Sequence, residues 1–568
     1  MVKYLMKEGV ENSMGVYLNS RNPFGLFQYE AAATYFIDKT DMLEELIPLV
    51  DGGRRHETTG EKSNKYICIT RPRRFGKTLA ASMIASFFGK GADSRDLFQN
   101  LKIGSSEYFE AHINKHQVIC ISFNEIPSNC TSYQQYIFRV EKRLRNDLRK
   151  AYPEAGISEE DAIWDVLGEI YETEEDARFI FVLDEWDYIF HRNFVTDRDK
   201  ADFVEFLSNL LKGKSYVELA YMTGILPIAK YSSGSELNMF YEYTMASEEK
   251  YAEYFGFTGQ EVDELFGRYQ NRHLKTENVT RRGLQIWYDG YHTKSGERVY
   301  NPRSVVAALT NNNLGNYWTS AGPYDEIFYY VKENIAAVRD DLALLVSGIP
   351  VSAKVREYAA TSMNLNTKDE IFSAMVVYGF LNYEDGNVSI PNKELMDRFS
   401  DMLQKEPSFG YVHRLARESD RMLQATKAGD TDTMAGILEY VHDIESPLLY
   451  YSNEAELTMI VNMVYLSARD QYRIEREDKA GIGYVDFIFY PIKKEDDCLI
   501  LELKVDHTPE EAIRQIKDRR YALKFSKKPG GSMEYTGRIL AVGISYGKAD
   551  KKHKCKVEVL KKRDKVSG

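Results

Sequence analysis

Three groups of residues in this chain have the types and spacing to do chemistry on phosphate esters. In the run Arg71-Pro72-Arg73-Arg74-Phe75-Gly76-Lys77-Thr78, the last three residues read as the end of a phosphate-binding loop. A full loop of this kind is GxxxxGK[ST]. Its backbone N–H groups cradle phosphates, its lysine reaches the terminal phosphate oxygens and its hydroxyl ligates magnesium. The first glycine is absent here, with Arg71 in its place, while Arg73 and Arg74 add cations able to bind phosphate. The candidate nucleotide-binding set is therefore Arg73, Arg74, Phe75, Gly76, Lys77 and Thr78, joined by Asp184. That aspartate and Glu185 end the apolar run Phe179 to Leu183. In this arrangement the aspartate holds magnesium together with Thr78, and the glutamate orients an attacking water. The third group is Asp486 with Glu502-Leu503-Lys504. Metal-dependent phosphodiester hydrolysis needs carboxylates that hold the ion at a water and a cation for the developing charge, and these residues supply both.

Each group must be positioned by regular elements. Tyr66 to Thr70 is an apolar strand, the loop follows, and LAASMIASFF continues as a helix. Two further strands, Val118 to Ile121 and Phe179 to Leu183, are separated by long amphipathic helices, and Val217 to Met222 adds another. Strands alternating with helices predict a parallel α/β sheet. Thr223, just after that last strand, is placed to sense a terminal phosphate, although a Thr-Gly pair there also suits a simple turn. From 236 to 400 the pattern is aromatic-rich and helical, with turns at Asp289-Gly290, Ser295-Gly296 and Asn301-Pro302. From 450 the order is helix (454–469), strands near 472–476, 484–490 and 498–505, helix (509–524) and strand (538–545), an αβββαβ arrangement. Its last crossover predicts parallel pairing of 498–505 with 538–545. Alternation along 499–505 puts Glu502 and Lys504 on one face, where an acid and a lysine are costly to bury without a task.

At 568 residues the chain is long enough for three or four domains. No apolar run approaches a membrane span, and the opening MVKYLMKEGVENS carries charge where a signal peptide needs apolar residues. The five scattered cysteines form no CxxC pair. A soluble, cytoplasmic protein is expected. The net charge of -12 disfavours broad attraction to nucleic acid, so any such contact must be local. Lys548, Lys551, Lys552, Lys554, Lys556, Lys561, Lys562, Arg563 and Lys565 make the C-terminus basic. That stretch reads either as a binding segment or as a solvated tail.

Four phrases taken together resemble one known family: Tyr35-Phe36-Ile37-Asp38-Lys39-Thr40, RPRRFGKT at 71–78, Trp287-Tyr288-Asp289-Gly290-Tyr291 and Val299-Tyr300-Asn301-Pro302. They are similar to those of bacterial AAA-ATPase-like proteins with a C-terminal PD-(D/E)XK nuclease domain. The resemblance implies an N-terminal segment (1–20), a P-loop ATPase domain (21–235), a helical extension (236–400), a helical connector (401–450) and a restriction-endonuclease-like domain (451–568). It implies that Asp486 and Glu502 are metal ligands and that Lys504 positions water or stabilises charge. Glu456, Glu477, Gln515 and Tyr521 would assist. The aromatic residues Trp287, Tyr288 and Tyr291 read as core packing before base stacking.

The expected function is an ATP-binding, ATP-hydrolysing protein coupled to a metal-dependent nuclease, with magnesium or manganese as the ion and DNA before RNA as the substrate. Catalysis would rest on Glu185, Asp486, Glu502 and Lys504. The alternatives are a nucleotide-switched binding or assembly protein with an inactive nuclease fold, and an NTPase acting on a protein partner. No membrane partner is expected, and a homo-oligomer is left open.

Overall fold

The computed structural model describes residues 15–50, 64–174, 177–228, 236–245, 249–272, 278–318, 331–355, 365–444, 454–480, 483–525 and 535–562. The opening segment, Arg563 and Lys565 lie outside the described residues, as do the side chains of Glu456 and Glu477. The chain forms two compact units, Met1–Tyr330 with Ser352–Glu394, and Val331–Val351 with Leu395–Gly568.

The first unit is built on a five-stranded sheet of β1 (Tyr66–Thr70), β2 (Gln117–Ser122), β3 (Phe179–Asp184), β4 (Val217–Gly224) and β5 (Tyr241–Tyr243). Its order is β2-β3-β4-β1-β5 and every pairing is parallel. Strands β1 and β3 are buried along their whole length, as their continuous apolar sequences require of a sheet covered on both faces. The sequence does not mark β5, which at three residues is too short to show a pattern. Helix α1 (Lys77–Phe88) follows the loop and is buried nearly all round, its alanines allowing close approach to the sheet. Helix α2 (Tyr133–Ala151) begins at Ser132, whose side chain accepts from the Gln135 N–H, and buries one face only.

The register is what assembles the first site. Ile69 pairs with Thr223 and Thr70 with Gly224, so the loop leaves β1 beside the end of β4. Ser122 pairs with Asp184, which brings the residues after β2 beside Glu185. The extension is mostly helical and also contains small antiparallel pairings, Phe257–Thr258 and Tyr291–His292 on Arg298–Tyr300, and Asn382–Glu384 with Asn387–Ser389.

The second unit contains β6 (Tyr472–Ala480), β7 (Gly483–Pro491), β8 (Cys498–Val505), β9 (Ile539–Gly547) and β10 (Lys552–Lys561), hydrogen-bonded in that order. The β8–β9 pair is parallel and the other three are antiparallel. Helix α3 (Pro509–Asp518), capped by Thr508, makes the crossover and buries Ala512, Ile513 and Ile516. It ends six residues earlier than the periodicity suggests, and a short 3-10 turn, Tyr521–Phe525, continues it. Strand β10 is an addition to the expected order: most of the supposed basic tail is an edge strand.

Candidate functional site

In the first unit, Gly76 closes the loop with φ of 92°, a left-handed conformation that suits glycine, and caps α1. The loop therefore delivers the N-terminus of a long helix, the usual seat of a phosphate. The Lys77 side chain folds back so that its ammonium donates to the carbonyls of Arg71 (2.8 Å) and Pro72 (2.9 Å). Burial pulls its pKa down to about 8, against the opposing pull of Asp187, Asp184 and Glu185.

Arg71, at the position of the missing glycine, is not among the residues that line the cavity beside the loop. It is 2% exposed, donates to the carbonyls of Thr70 and Tyr243, and lies over the Phe255 ring. The loop is also held from the extension. Phe75 packs edge-on against Tyr291 at 5.1 Å, and the Tyr291 hydroxyl donates to the Gly379 carbonyl. A Cβ at Gly379 would come within 2.6 Å of Pro72, and the Trp318 indole donates to the Arg73 carbonyl. The Phe75 ring is itself buried, so its role is to anchor the loop to the extension. Trp287, Tyr288 and Tyr291 are all packing residues; Tyr288 is fully buried and its hydroxyl is bonded to both backbone groups of Gly315.

Behind the loop, Asp184 is 3% exposed, and the Thr223 hydroxyl donates to its Oδ1 at 2.5 Å. Its Oδ2 is buried without a hydrogen bond. Desolvation raises its pKa, while the Thr223 and Thr78 hydroxyls act in the opposite direction. Glu185, at a φ of 52°, has its carboxylate held by the Asn124 amide at 2.9 Å, and burial raises its pKa. A buried carboxylate oxygen without a donor, next to a threonine hydroxyl, suits a magnesium ion that takes its remaining ligands from phosphate and water.

These groups border a cavity of about 500 Å³, within the range that holds a nucleotide. Arg73, Arg74, Phe75, Gly76, Lys77, Thr78 and Glu185 line it, and Asp184 lies beneath. Phe27, Tyr35, Phe36 and Tyr254 add aromatic rings to the lining. Asp38 and Thr40 of the Tyr35–Thr40 phrase are turn-formers, bonded to the backbone of Lys102 and Ile103. Two residues outside the candidate sets complete the arrangement. Arg303 lines the cavity from the start of the Pro302–Asn311 helix, and Asn124 orients Glu185. Arg303 could have been noticed in Asn301-Pro302-Arg303, a capped helix start carrying a cation; Asn124 has no local signal.

In the second unit, Asp486, Glu502 and Lys504 come together where β7 and β8 part. Paired residues run from Phe489 and Leu499 to Phe487 and Leu501. One step further, the Asp486 carboxylate takes the Leu503 N–H at 2.7 Å. Glu502 is 2% exposed, and its Oε1 accepts from Lys504 (3.1 Å) and from the Gln515 amide on α3. Tyr521 in turn bonds Gln515. The Oε2 of Glu502 is buried with no hydrogen-bond partner. Burial first, and Asp486 second, raise its pKa to about 7. A buried carboxylate oxygen without a hydrogen-bond partner, on a residue that feels the charge of a second carboxylate, is a fitting place for a divalent ion. Among the described residues no cluster of three or more His, Cys, Asp and Glu could hold a metal. His507 pairs with Glu511 in an exposed turn, as its place after the strand suggests.

Residues 27–233 match the family described as predicted AAA-ATPase, and residues 452–549 match the PD-(D/E)XK nuclease superfamily. The chain joins an AAA-ATPase domain to a PD-(D/E)XK nuclease superfamily domain. An uncharacterized protein in the vnfD 5′ region of Azotobacter chroococcum mcd 1 is 24% identical over 307 residues, 51% of this chain and 51% of that protein. The chain thus spans about half the length of this curated relative. Among solved structures, the Walker-type ATPase of Pyrococcus abyssi is 11% identical with a TM-score of 0.36, over 63% of this chain and 94% of that one. The ORC2 protein of Aeropyrum pernix is 11% identical with a TM-score of 0.28, over 70% and 96%.

Three lysines of the C-terminal basic run are paired with carboxylates. Lys548 pairs with Asp506, Lys554 with Asp550, and Lys556 with Glu510 and Glu558. The basic run is thus balanced in part by carboxylates beside it. The five cysteines are all free thiols; burial pushes those of Cys120, Cys498 and Cys555 up to about 12. Among the described residues no helix is long and apolar enough to cross a membrane.

Proposed function

We propose that the AAA-ATPase domain binds and hydrolyses ATP and that the nuclease domain cleaves phosphodiester bonds with a divalent metal, acting on DNA in preference to RNA. The observation that carries the nuclease reading is Glu502, a buried carboxylate with one oxygen bonded to Lys504 and Gln515 and the other unpartnered beside Asp486. A packing role would leave neither a charge nor an orphaned acceptor in the core. Asp486 and Glu502 would hold the ion, which when bound supplies an activated water and neutralises phosphate charge. Lys504, bonded to Glu502, would position the water or stabilise the charge developing on the phosphate.

In the ATPase domain, Lys77 would exchange its two loop carbonyls for phosphate oxygens. Thr78 and Asp184 would hold magnesium. Glu185 would orient the attacking water, with Thr223 fixing Asp184 and Arg303 facing the phosphates.

A purified-protein cleavage assay tests both halves. Plasmid DNA, single-stranded DNA and RNA are incubated with magnesium or manganese, with and without ATP, using wild type, Lys504→Ala and Lys77→Ala. The expected result is metal-dependent cleavage lost in Lys504→Ala and ATP hydrolysis lost in Lys77→Ala. Cleavage that persists in Lys504→Ala would remove the nuclease assignment and leave an assembly protein with an inactive nuclease fold.

A further inference from the structure

Three of the C-terminal lysines are paired with carboxylates, and a second cationic surface lies in the other unit. On α2, Gln135, Phe138, Arg139, Lys142, Arg143 and Asn146 recur at three- and four-residue spacing, so they share one side of the helix. That side borders a groove of about 410 Å³ closed by the loop after β2. No carboxylate lines the groove, and Arg139, Lys142 and Arg143 make no ion pair among the described residues. Phe138 is 59% exposed, an unusual setting for a large ring, with the Lys142 ammonium 5.7 Å from its centroid.

The groove is firmly built. Arg143 is bonded to the hydroxyl of Tyr17, and the backbone N–H groups of Tyr17 and Leu18 donate to Asp147 on the same helix.

We propose that this groove binds a single-stranded polynucleotide, with phosphates on Arg139, Lys142 and Arg143 and a base stacked on Phe138. The inference rests on the nuclease reading above and names where the strand is held. Unpaired cations attract a phosphate backbone even on a chain with a net charge of -12, because the contact is local. An exposed ring can stack only on a base whose face is open, which selects a single strand over a duplex. Side-chain amides at Gln135 and Asn146 add donors and acceptors without adding negative charge.

Fluorescence anisotropy of the full chain tests the assignment. The probes are a labelled oligothymidylate, an oligouridylate of equal length and the matching DNA duplex, in EDTA to prevent cleavage and at several salt concentrations. Wild type is expected to bind single strands more tightly than the duplex, and the two single-strand arms report whether DNA or RNA is preferred. Arg139→Gln/Lys142→Gln/Arg143→Gln should weaken binding at least about tenfold and lower the salt slope by about two, at roughly 0.7 per phosphate contact. Phe138→Leu, which keeps an apolar side chain but not the ring, should weaken binding about tenfold with the slope unchanged. Undiminished ATP binding serves as the folding control for both variants. If wild type binds single strands and the triple variant binds them equally well, the groove is not the site, and the nuclease reading stands. If wild type binds no polynucleotide and cleaves none, both fall.

Discussion

The carboxylate of Asp486 accepts the backbone N–H of Leu503 at 2.7 Å, and Leu503 is the residue between Glu502 and Lys504. One catalytic candidate therefore fixes the peptide that carries the other two. Asp486→Asn keeps an oxygen to accept this N–H while removing the charge. The nuclease domain should stay folded, and metal-dependent cleavage should fall by about a hundredfold or more. Plasmid nicking measured beside ATP hydrolysis checks this, since the second activity should not change. Cleavage at the wild-type rate would refute the metal role.

Lys77 should control nucleotide affinity and give it a pH dependence. Charge-assisted bonds are worth about 1.5–3 kcal/mol, so Lys77→Met should weaken ATP binding by roughly ten- to a hundredfold. With its pKa lowered to about 8, the wild-type ammonium is fully charged below that pH and is lost above it. ATP affinity should accordingly fall as pH rises through about 8 in wild type and stay flat in Lys77→Met. Titration calorimetry at pH 6.5, 7.5 and 9 would show a parallel decline in both proteins if another group were responsible.

Glu502 should cost the fold stability. Its pKa is raised from 4.5 to about 7, so between those pH values the folded chain holds a proton that the unfolded chain has released, and stability falls as pH rises. Glu502→Gln removes that penalty. In EDTA at pH 8 it should stabilise the chain by up to about 3 kcal/mol, at 1.36 kcal/mol per pKa unit, and the gain should vanish near pH 4. Chemical denaturation of both proteins at the two pH values measures the difference. A gain equal at both would mean that ionisation is not its source.

Tyr291 should act on the phosphate loop from outside the cavity. Tyr291→Phe keeps the ring on Phe75 and leaves the Gly379 carbonyl without its donor, a loss of about 0.5–1.5 kcal/mol in stability. Tyr291→Ala opens a void under the loop and should lose about 3–5 kcal/mol. ATP affinity measured at a temperature where both variants are folded should follow the same order. Unaltered affinity in Tyr291→Ala would show that the loop holds its shape without this support.

The parallel sheet, the loop and the β8 pair were legible because each is written in contiguous residues. Tyr66 to Thr78 spells strand, loop and helix, and Glu502-Leu503-Lys504 shows its alternation directly. What could not be read depends on topology. Asn124 meets Glu185 only because β2 lies next to β3, and Arg303 reaches the cavity across more than two hundred residues of sequence from Lys77. Strand β10 alternates Lys552, Lys554 and Lys556 with His553 and Cys555, yet its lysines imitate a solvated tail. The carboxylate partners of Lys554 and Lys556, namely Asp550, Glu510 and Glu558, come partly from α3, a neighbour that charge counting along the chain does not identify.

Arg71 has a consequence for how freely the phosphate loop can rearrange. A glycine at its position would let the chain sample many backbone states and would pay for ordering on each encounter with a ligand. Arg71 is tied instead to Tyr243 on β5 and laid over Phe255. Much of the conformational entropy of the loop is thereby surrendered when the protein folds, and a nucleotide bound as proposed would meet a receptor already set.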